Sequence, residues 1–456
     1  MVRKKRILYV LTGWPLYHSG GMIVYVTNLL KSLDSSKYDI YVFHNGELNL
    51  LFPIMYLKKR GNIYSLVNTH YYLDFELSPV KDVKIEYFFK KVLLEVNPDI
   101  IHFQDLGGLP FSLIEISKEL TNAKIFNTFH NYYPICPRRE LMHSDTSLCS
   151  LCIEGYICPD CQKQKKIIKI FLRVYINIFM RFLKSHSMNI MYQYLLKKSF
   201  SPSNTLHVYS TSLHDTTDKK VSERALYIRN ILNNYVDMNL CVSYGVQKIF
   251  EQFGLDPKKS RVMHLGIDSD KLVQIKKEVF NDKTITFGFL GGASKHKGLY
   301  VLIHSFNILS QKYSDRIRLD IYGCSKPDYE EVLQEHVVNE NILFHGSYTH
   351  DDLEKNLIKI DVGIVPSVWY DCAPLVVFEF LSAKIPVIGS DIGGIPDFIH
   401  NEKNGLLFEA NNEADLIENM EKIINNPHII NEFKKNIKPV KTMSEHVKEL
   451  IKIYQD

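Results

Sequence analysis

Two carboxylates bracket a short apolar segment, DCAPLVVFE, in the last quarter of the chain. Asp371 begins this segment and Glu379 ends it, with Pro374 between them. The run DVGIVPS (361–367) upstream is typical of a buried strand, and PLVVFEFLSAK (374–384) is typical of a helix. Proline suits the first turn of a helix, because the N–H that it lacks would have no partner there. The pattern therefore predicts Asp371 in a loop at a strand end and Glu379 inside the next helix.

This arrangement is suited to binding a nucleotide diphosphate sugar. The unpaired N–H groups at a helix start favour an anion such as a phosphate. A carboxylate further along the helix can accept two hydrogen bonds from a vicinal diol, as ribose offers. We therefore expect the ribose at Glu379 and the transferred sugar near Asp371. The expected phosphate-binding residues are Ala373, Pro374, Leu375 and Val376. The spacing alone favours two solvated acids, because two acids eight positions apart are common.

Strand-like and helix-like runs alternate along most of the chain, which favours an α/β fold. Strands that are apolar on both faces and separated by helices indicate parallel βαβ units. One series of such runs covers residues 6–130 and resumes at 239–268, and a second covers 284–391. At 456 residues the chain is also too long for one ordinary core. We expect two doubly wound, Rossmann-like domains with a ligand cleft between them, at the carboxyl ends of the strands.

Composition excludes several other classes of protein. The hydrophobic fraction of 45% and the charged fraction of 23% are those of a globular protein. A net charge of +4 gives no indication of nucleic-acid binding. No run of about 18 uncharged apolar residues predicts a membrane-spanning helix. The basic N-terminus leads into an apolar run that Gly13, Trp14 and Pro15 interrupt, which argues against a signal peptide. We therefore expect a cytoplasmic protein.

Several segments together resemble the retaining GT-B glycosyltransferases of family 4. The stretch DCAPLVVFE…AKIPVIGSDIGGIPD, followed by NEKNGLLF, resembles their donor-site signature. YHSGGMIVYVTNLLKSL resembles the N-terminal Gly-Gly phosphate loop, and FLGGASKHKGLYVLIHSF resembles the donor phosphate loop. VNPDIIHFQ and NTFHNYYPICPRREL resemble the acceptor-domain strands of a cysteine-containing subgroup. These motifs occur in the family's order and cover most of the chain.

The resemblance implies a GT-B fold and a domain organisation. Residues 1–272 would form the acceptor-binding domain, with a Cys-rich and basic helical insertion at about 131–235. Residues 273–438 would form the domain that binds the nucleotide-sugar donor, with the boundary in a polar, Lys-rich stretch. Residues 439–456 would form a C-terminal helix that crosses back to the first domain.

The implied activity is transfer of a sugar, with retention of its anomeric configuration, to a hydroxyl of a glycan or lipid-linked glycan. Such an enzyme would act in polysaccharide biosynthesis and would need no metal or cofactor for catalysis. Two alternatives stay open. One is a GT-B sugar-nucleotide epimerase, against which the spacing of the two acids argues. The other is a homologue that binds a sugar nucleotide without turning it over.

The resemblance also assigns roles to single residues. Lys297 would neutralise the leaving diphosphate, Asp371 would bind the transferred sugar, and His130 would contact that sugar or polarise the reacting groups. The glycines Gly20 and Gly21 would let the backbone approach the ligand closely. The remaining expected substrate-binding residues, in the donor phosphate loop, are Gly292 and Lys295.

Three positions depart from the family pattern. Asp371 stands where the family usually has Glu, and Gly292 stands where it usually has Arg. Lys295 or His296 would then replace part of the missing positive charge. Asn131 follows His130 where the family has Asp. These departures are what motivates the non-catalytic alternative.

Four cysteines form a second candidate site. Cys149, Cys152, Cys158 and Cys161 make two C-x2-C pairs, an arrangement that can bind zinc through four thiolates. Such a zinc would be structural, since the expected chemistry does not use it. Reduced thiols, an iron–sulfur cluster and disulfides are the alternatives.

Residues 163–200 contain nine Lys or Arg residues and no acidic residue. The polar positions recur every three or four residues, as on one stripe of a helix whose other positions are apolar. The members of this stripe are Lys166, Lys169, Arg173, Asn177, Arg181 and Lys184. Such a helix either packs on the first domain or lies on an anionic membrane. The second alternative predicts peripheral attachment to the inner membrane face.

Overall fold

The fold is that of a computed structural model, which describes most of the chain in several ranges. These are residues 3–14, 21–47, 49, 52, 54–69, 80–137, 139–143, 146–150, 152–156, 222–268, 280, 284–324, 337, 339–349 and 352–455. Gly20, Cys158, Cys161 and the basic segment 163–200 lie outside these ranges, as does the expected domain boundary at 272.

The first sheet is built from the N-terminal half of the chain. Its strands are β1 (Lys5–Thr12), β2 (Tyr38–Glu47), β3 (Tyr56–Arg60), β4 (Ile63–Val67), β5 (Ile100–Phe103), β6 (Lys124–Phe129), β7 (Met238–Cys241) and β8 (Ser260–Val262). Its helices are α1 (Gly21–Ser32), α2 (Val83–Val96), α3 (Ser112–Leu120), α4 (Glu223–Asn234) and α5 (Tyr244–Gln252). The strand order is β3-β4-β2-β1-β5-β6-β7-β8. All neighbours run parallel except β3 and β4, which form an antiparallel pair at the edge.

The second sheet follows a shorter version of the same plan. Its strands are β9 (Ile285–Leu290), β10 (Ile317–Tyr322), β11 (Ile342–Phe344), β12 (Val362–Val365), β13 (Val387–Ser390) and β14 (Gly405–Phe408). Its helices are α6 (Leu299–Tyr313), α7 (Leu353–Leu357), α8 (Leu375–Ser382), α9 (Glu413–Asn425) and α10 (His428–Asn436). The order β11-β10-β9-β12-β13-β14 is parallel throughout.

Burial explains why the central strands are apolar at consecutive positions. Residues 7–11 of β1 are all fully buried, because β1 lies between β2 and β5 and both of its faces are covered. Residues 362–365 of β12 are buried in the same way in the second sheet. This two-sided burial is typical of parallel sheets. The expectation of two doubly wound domains is confirmed in this respect, whereas the antiparallel β3–β4 pair was not predicted.

A last helix, α11 (Met443–Gln455), follows the second sheet and packs against α1 of the first. Its Tyr454 hydroxyl lies 3.0 Å from the Tyr9 hydroxyl and 2.6 Å from Nδ1 of His102. Nearer its start, Nε2 of His446 lies 2.6 Å from the Tyr25 hydroxyl. The helix therefore joins the first sheet and α1 through buried tyrosine and histidine side chains. Among the described residues, no helix has both the length and the apolar character needed to cross a bilayer.

Candidate active site

The two sheets face each other across a cleft of about 660 Å³. Each contributes residues that follow the carboxyl ends of its strands: His130 follows β6, Gly291 follows β9 and Ser367 follows β12. Helix α1 of the first sheet and helix α8 of the second also reach the cleft. The position is the one expected for a ligand site in doubly wound sheets.

Lys297 and Asp371 form an ion pair inside this cleft. Nζ of Lys297 donates to Oδ2 of Asp371 at 2.7 Å, and the Asp371 residue is only 5% exposed. Gly298 makes the approach possible, because its φ of 68° is left-handed and a Cβ there would lie 1.7 Å from the Pro366 carbonyl oxygen. The phosphate loop therefore rests directly on the end of β12. Two residues that are 74 positions apart in sequence are brought together in this way.

The starts of α1 and α8 approach each other across the cleft. Gly21 is the first residue of α1, and a Cβ on it would lie 3.3 Å from Cδ1 of Leu375, the first residue of α8. Neither helix start has an intrahelical acceptor for its first N–H groups, so the two converge on one place suited to an anion. Pro374 was expected in the first turn of α8, but it lies just before the helix, at the N-cap. Ala373 and Val376 line the same part of the cleft.

The carboxylate of Glu379 lies one turn further along α8 and also lines the cleft. Within the described residues this carboxylate has neither a hydrogen bond nor an ion pair. Burial therefore raises the pKa of Glu379 to about 7. Tyr348, which follows β11, lies close enough for the Glu379 charge to raise the pKa of its hydroxyl, after the larger effect of burial. A half-buried acid without a partner is costly unless a ligand supplies one.

His130 lies on the opposite wall of the cleft and is held as a neutral imidazole. Burial lowers its pKa to about 3. Its Nε2 lies 2.7 Å from Oε1 of Gln104, an atom that can only accept, so Nε2 carries the proton and Nδ1 has the free lone pair. The ring also contacts Tyr25, with 5.1 Å between the two ring centroids. His130 can therefore accept a hydrogen bond through Nδ1 but does not supply a positive charge.

The expected compensation for the missing arginine is not found at His296. Its pKa is lowered to about 4, mainly by burial and then by the neighbouring Lys297 charge, and its ring packs against Trp369 at 4.9 Å. Lys295 is exposed and does not line the cleft. Among the residues described here, Lys297 is therefore the one Lys or Arg in the cleft wall.

Gly292 is exposed, and nothing lies within 4 Å of the place a Cβ would take. Its backbone also avoids the left-handed region, so a side chain fits without strain. We therefore expect Gly292→Arg to strengthen the binding of a nucleotide diphosphate up to about fivefold, the contribution of one exposed ion pair of about 1 kcal/mol. Calorimetric titration measures this, with Gly292→Ala as the uncharged control. If Gly292→Arg leaves the affinity unchanged, the phosphates bind away from residue 292.

Some cleft residues were not singled out in the sequence. Tyr25 and Asn28 lie one and two turns after Gly21 on α1, so they share its face of the helix. Tyr348 and Trp369 follow strand ends in the second sheet. Helical spacing from the glycine is a signal that could have identified the first two. Tyr348 and Trp369 carry no comparable signal in the sequence.

The cysteine site is only partly described. Cys149 and Cys152 are buried in the first domain, but Cys158 and Cys161 lie outside the described residues. In the ranges that the structure covers, no group of three or more His, Cys, Asp or Glu residues is arranged to hold a metal. Zinc at these four cysteines stays a prediction, which metal analysis of the purified protein can test.

Residues 270–440 match the family described as glycosyl transferases group 1. This region of the chain is therefore similar to group 1 glycosyl transferases. It contains Lys297, Asp371 and Glu379, so the second-sheet half of the cleft lies within the matched region. A 41.2 kDa protein in the cps region of Klebsiella pneumoniae is 26% identical over 232 residues, which are 49% of this chain and 62% of that relative. The chain thus spans less than two thirds of this relative's length.

Solved structures show the same architecture over the whole chain. Sucrose-phosphate synthase of Thermosynechococcus elongatus has a TM-score of 0.62 at 14% identity, over 99% of this chain and 98% of that chain. HepE of Anabaena, in complex with UDP and glucose, has a TM-score of 0.59 at 11% identity, over 99% of both chains. At these identities the likeness concerns the fold, and it confirms the expected GT-B architecture.

Proposed function

We propose that the protein is a retaining glycosyltransferase that moves a sugar from a nucleotide diphosphate donor to a hydroxyl of a glycan or lipid-linked glycan. The observation that carries this proposal is the row of groups along one wall of the cleft. The ion pair of Lys297 and Asp371, the start of α8 and the unpartnered carboxylate of Glu379 follow one another there. Each is complementary to one part of a nucleotide sugar.

The diphosphate would lie between the starts of α1 and α8, where N–H groups point into the cleft. Negative charge grows on it as the bond to the sugar breaks, and Lys297 is placed to stabilise that charge. HepE, whose structure contains UDP and glucose, supports a donor of this class. The retaining course and the glycan acceptor follow from the family resemblance. A relative from Staphylococcus aureus, the capsular polysaccharide biosynthesis glycosyltransferase CapM, supports a polysaccharide as the product.

Asp371 and His130 would hold the sugar between them. The Asp371 carboxylate can accept a hydrogen bond from a sugar hydroxyl while it stays paired with Lys297. The neutral His130 offers a lone pair at Nδ1 to the reacting groups. The low pKa of His130 means that it does not act as an acid at neutral pH.

Replacing Glu379 with alanine should weaken donor binding by about 1.5–3 kcal/mol, because a charged hydrogen bond to the ribose is lost. Isothermal titration with UDP-glucose, or with the nucleotide sugar that most stabilises the protein in a thermal-shift panel, measures this. The matched ligand control is the 2′-deoxyribose form of the donor. The deoxyribose donor should bind the wild type more weakly than the ribose donor does. Glu379→Ala should lower the affinity for the deoxyribose donor only slightly further. Unchanged affinity in a folded variant would contradict the ribose assignment.

Donor binding should also depend on pH through the same residue. Burial raises the pKa of Glu379 to about 7, and the ribose hydroxyls donate to its ionised form. Binding should therefore strengthen as the pH rises from 6 to 8. A nucleotide diphosphate sugar is a suitable probe, since its phosphates do not titrate in this range. Glu379→Gln should bind with little dependence on pH, and an unchanged profile would exclude Glu379 as the titrating group.

Turnover separates the proposal from its alternatives. An active enzyme should hydrolyse or transfer from its bound donor, releasing the nucleoside diphosphate, whereas a binding homologue should not. An epimerase should change the sugar's configuration. A protein that binds a nucleotide sugar but leaves it intact with a range of glycan acceptors would favour the non-catalytic reading.

A further inference from the structure

Helix α2 of the first sheet has an apolar stripe on its outer face. Its inner face is buried against the sheet, whereas Val83, Tyr87 and Leu94 are 82%, 53% and 73% exposed. At 100° per residue these three side chains lie within about 40° of one another around the helix axis. They extend over roughly 16 Å along it. Single exposed apolar residues are ordinary, but an aligned set of three marks an interaction surface.

Lysines border this stripe on both sides. Lys84, Lys90 and Lys91 are all exposed, and Nζ of Lys91 lies 4.5 Å from the centre of the Tyr87 ring. The helical positions place Lys90 on one side of the stripe, with Lys84 and Lys91 on the other. The outer face of α2 therefore combines an apolar centre with a basic rim.

The acidic residues near α2 are engaged elsewhere and do not neutralise this rim. Asp82 caps the helix by accepting from the backbone N–H groups of Lys84 and Ile85. Glu86 accepts a hydrogen bond from the Ser112 hydroxyl at 2.6 Å. Glu95 is paired with Lys59 on the neighbouring edge strand. The charge presented outwards is therefore positive.

One end of this face lies at the edge of the first sheet that borders the cleft. The backbone N–H of Ser112, at the start of α3, donates to the carbonyl of Val80, just before α2. Helix α2 thus starts at the carboxyl edge of the first sheet. Phe52 and Ile54, which are 63% and 70% exposed, precede β3 at the same edge, because Tyr56 of β3 pairs with the last residue of β4.

We propose that the outer face of α2 docks on an anionic lipid bilayer. An apolar stripe with a lysine rim fits the headgroup region, where the apolar side chains enter the acyl boundary and the lysines meet lipid phosphates. A purely apolar partner would not explain the basic rim. A partner that offers only negative charge would not explain the exposed Val83 and Leu94. Docking through this face sets the start of α2, at the carboxyl edge of the first sheet, beside the membrane. The proposal does not depend on the donor or on turnover.

Vesicle co-sedimentation of the full chain tests this. The probes are vesicles of phosphatidylcholine alone and vesicles with about a third phosphatidylglycerol, at low and high salt. The wild type should sediment with the anionic vesicles at low salt only. Lys84→Gln/Lys90→Gln/Lys91→Gln should weaken the partition coefficient by at least tenfold, since each basic residue near the surface contributes about fivefold. Val83→Ser/Leu94→Ser should weaken it without changing the net charge.

The matched controls are exposed residues of the other domain. Ile308 and Ile358 are 50% and 51% exposed, so Ile308→Ser/Ile358→Ser removes similar apolar area away from α2. Circular dichroism of each variant confirms that it is folded. The proposal is overturned if the wild type ignores anionic vesicles or if the α2 variants and the controls bind alike. Loss of binding only in Lys169→Gln/Arg173→Gln/Arg181→Gln would also overturn it, because attachment would then lie in the basic segment 163–200.

Discussion

Replacing Lys297 with alanine should lower turnover roughly a hundredfold or more, while donor affinity falls by less than about tenfold. The asymmetry is expected because the charge that Lys297 faces grows as the diphosphate leaves. No other Lys or Arg among the described cleft residues can take over. Steady-state kinetics and calorimetric titration on the same protein measure the two quantities. The comparison variant is Lys295→Ala, in the same turn but exposed, and an equal loss there would contradict the assignment.

The partner of Lys297 provides a second, opposite expectation. In Asp371→Asn the lysine keeps its charge but loses its ion pair, so UDP should bind more tightly, by roughly fivefold for a partly screened pair. Turnover should fall in the same variant, because the sugar loses a carboxylate acceptor. The double variant Lys297→Ala/Asp371→Asn avoids leaving a buried charge unpaired. If UDP binds Asp371→Asn no better than the wild type, the ion pair does not limit access to Lys297.

The protein should lose stability steeply below pH 6.5 through the buried histidines that join α11 to the first domain. Burial holds the pKa of His102 well below its ordinary value and lowers that of His446 to about 4. The unfolded chain therefore takes up protons that the folded protein excludes. Above about pH 6.5 these two histidines do not reduce the free energy of unfolding. Below that pH each of them lowers it by about 1.4 kcal/mol per pH unit.

Urea unfolding followed by circular dichroism at pH 7, 6 and 5 measures this dependence. Glu379 acts in the opposite direction, because its raised pKa favours the folded protein as the pH falls from 7 towards 4.5. The contribution of one histidine is therefore best isolated as a difference. His446→Gln should flatten the pH dependence by about 1.4 kcal/mol per unit relative to the wild type. An equally steep profile in that variant would show that His446 does not stay neutral in the fold.

The regular elements were largely predictable, because burial on both sides makes a parallel strand apolar throughout. The strand before Asp371, the helix that contains Glu379 and the Gly turn before Lys297 all follow from local sequence. Helix α2 was missed although Ile85 and Phe89 follow the helical period. The antiparallel β3–β4 pair was missed because short edge strands with charged residues lack a continuous apolar signal.

The chemistry of the site was less predictable than its location. The pairing of Lys297 with Asp371 depends on how closely the Gly298 turn approaches β12, which no local pattern encodes. His296 looked like a replacement cation by its position beside Lys297, yet its burial against Trp369 keeps it neutral. Charge state is set by the surroundings of a side chain, and those are known only once the fold is known.

The docking of α11 has a consequence for how the protein folds during synthesis. Tyr9 and His102 are among the early residues to leave the ribosome, yet their partner Tyr454 leaves it after the entire second sheet. N-terminal domains usually fold first as the chain emerges. Before α11 is synthesised, the Tyr9 hydroxyl and Nδ1 of His102 lack this partner, while Nε2 of His102 can already pair with Thr128. The first domain is therefore expected to reach its full stability only after residues 443–455 have been synthesised.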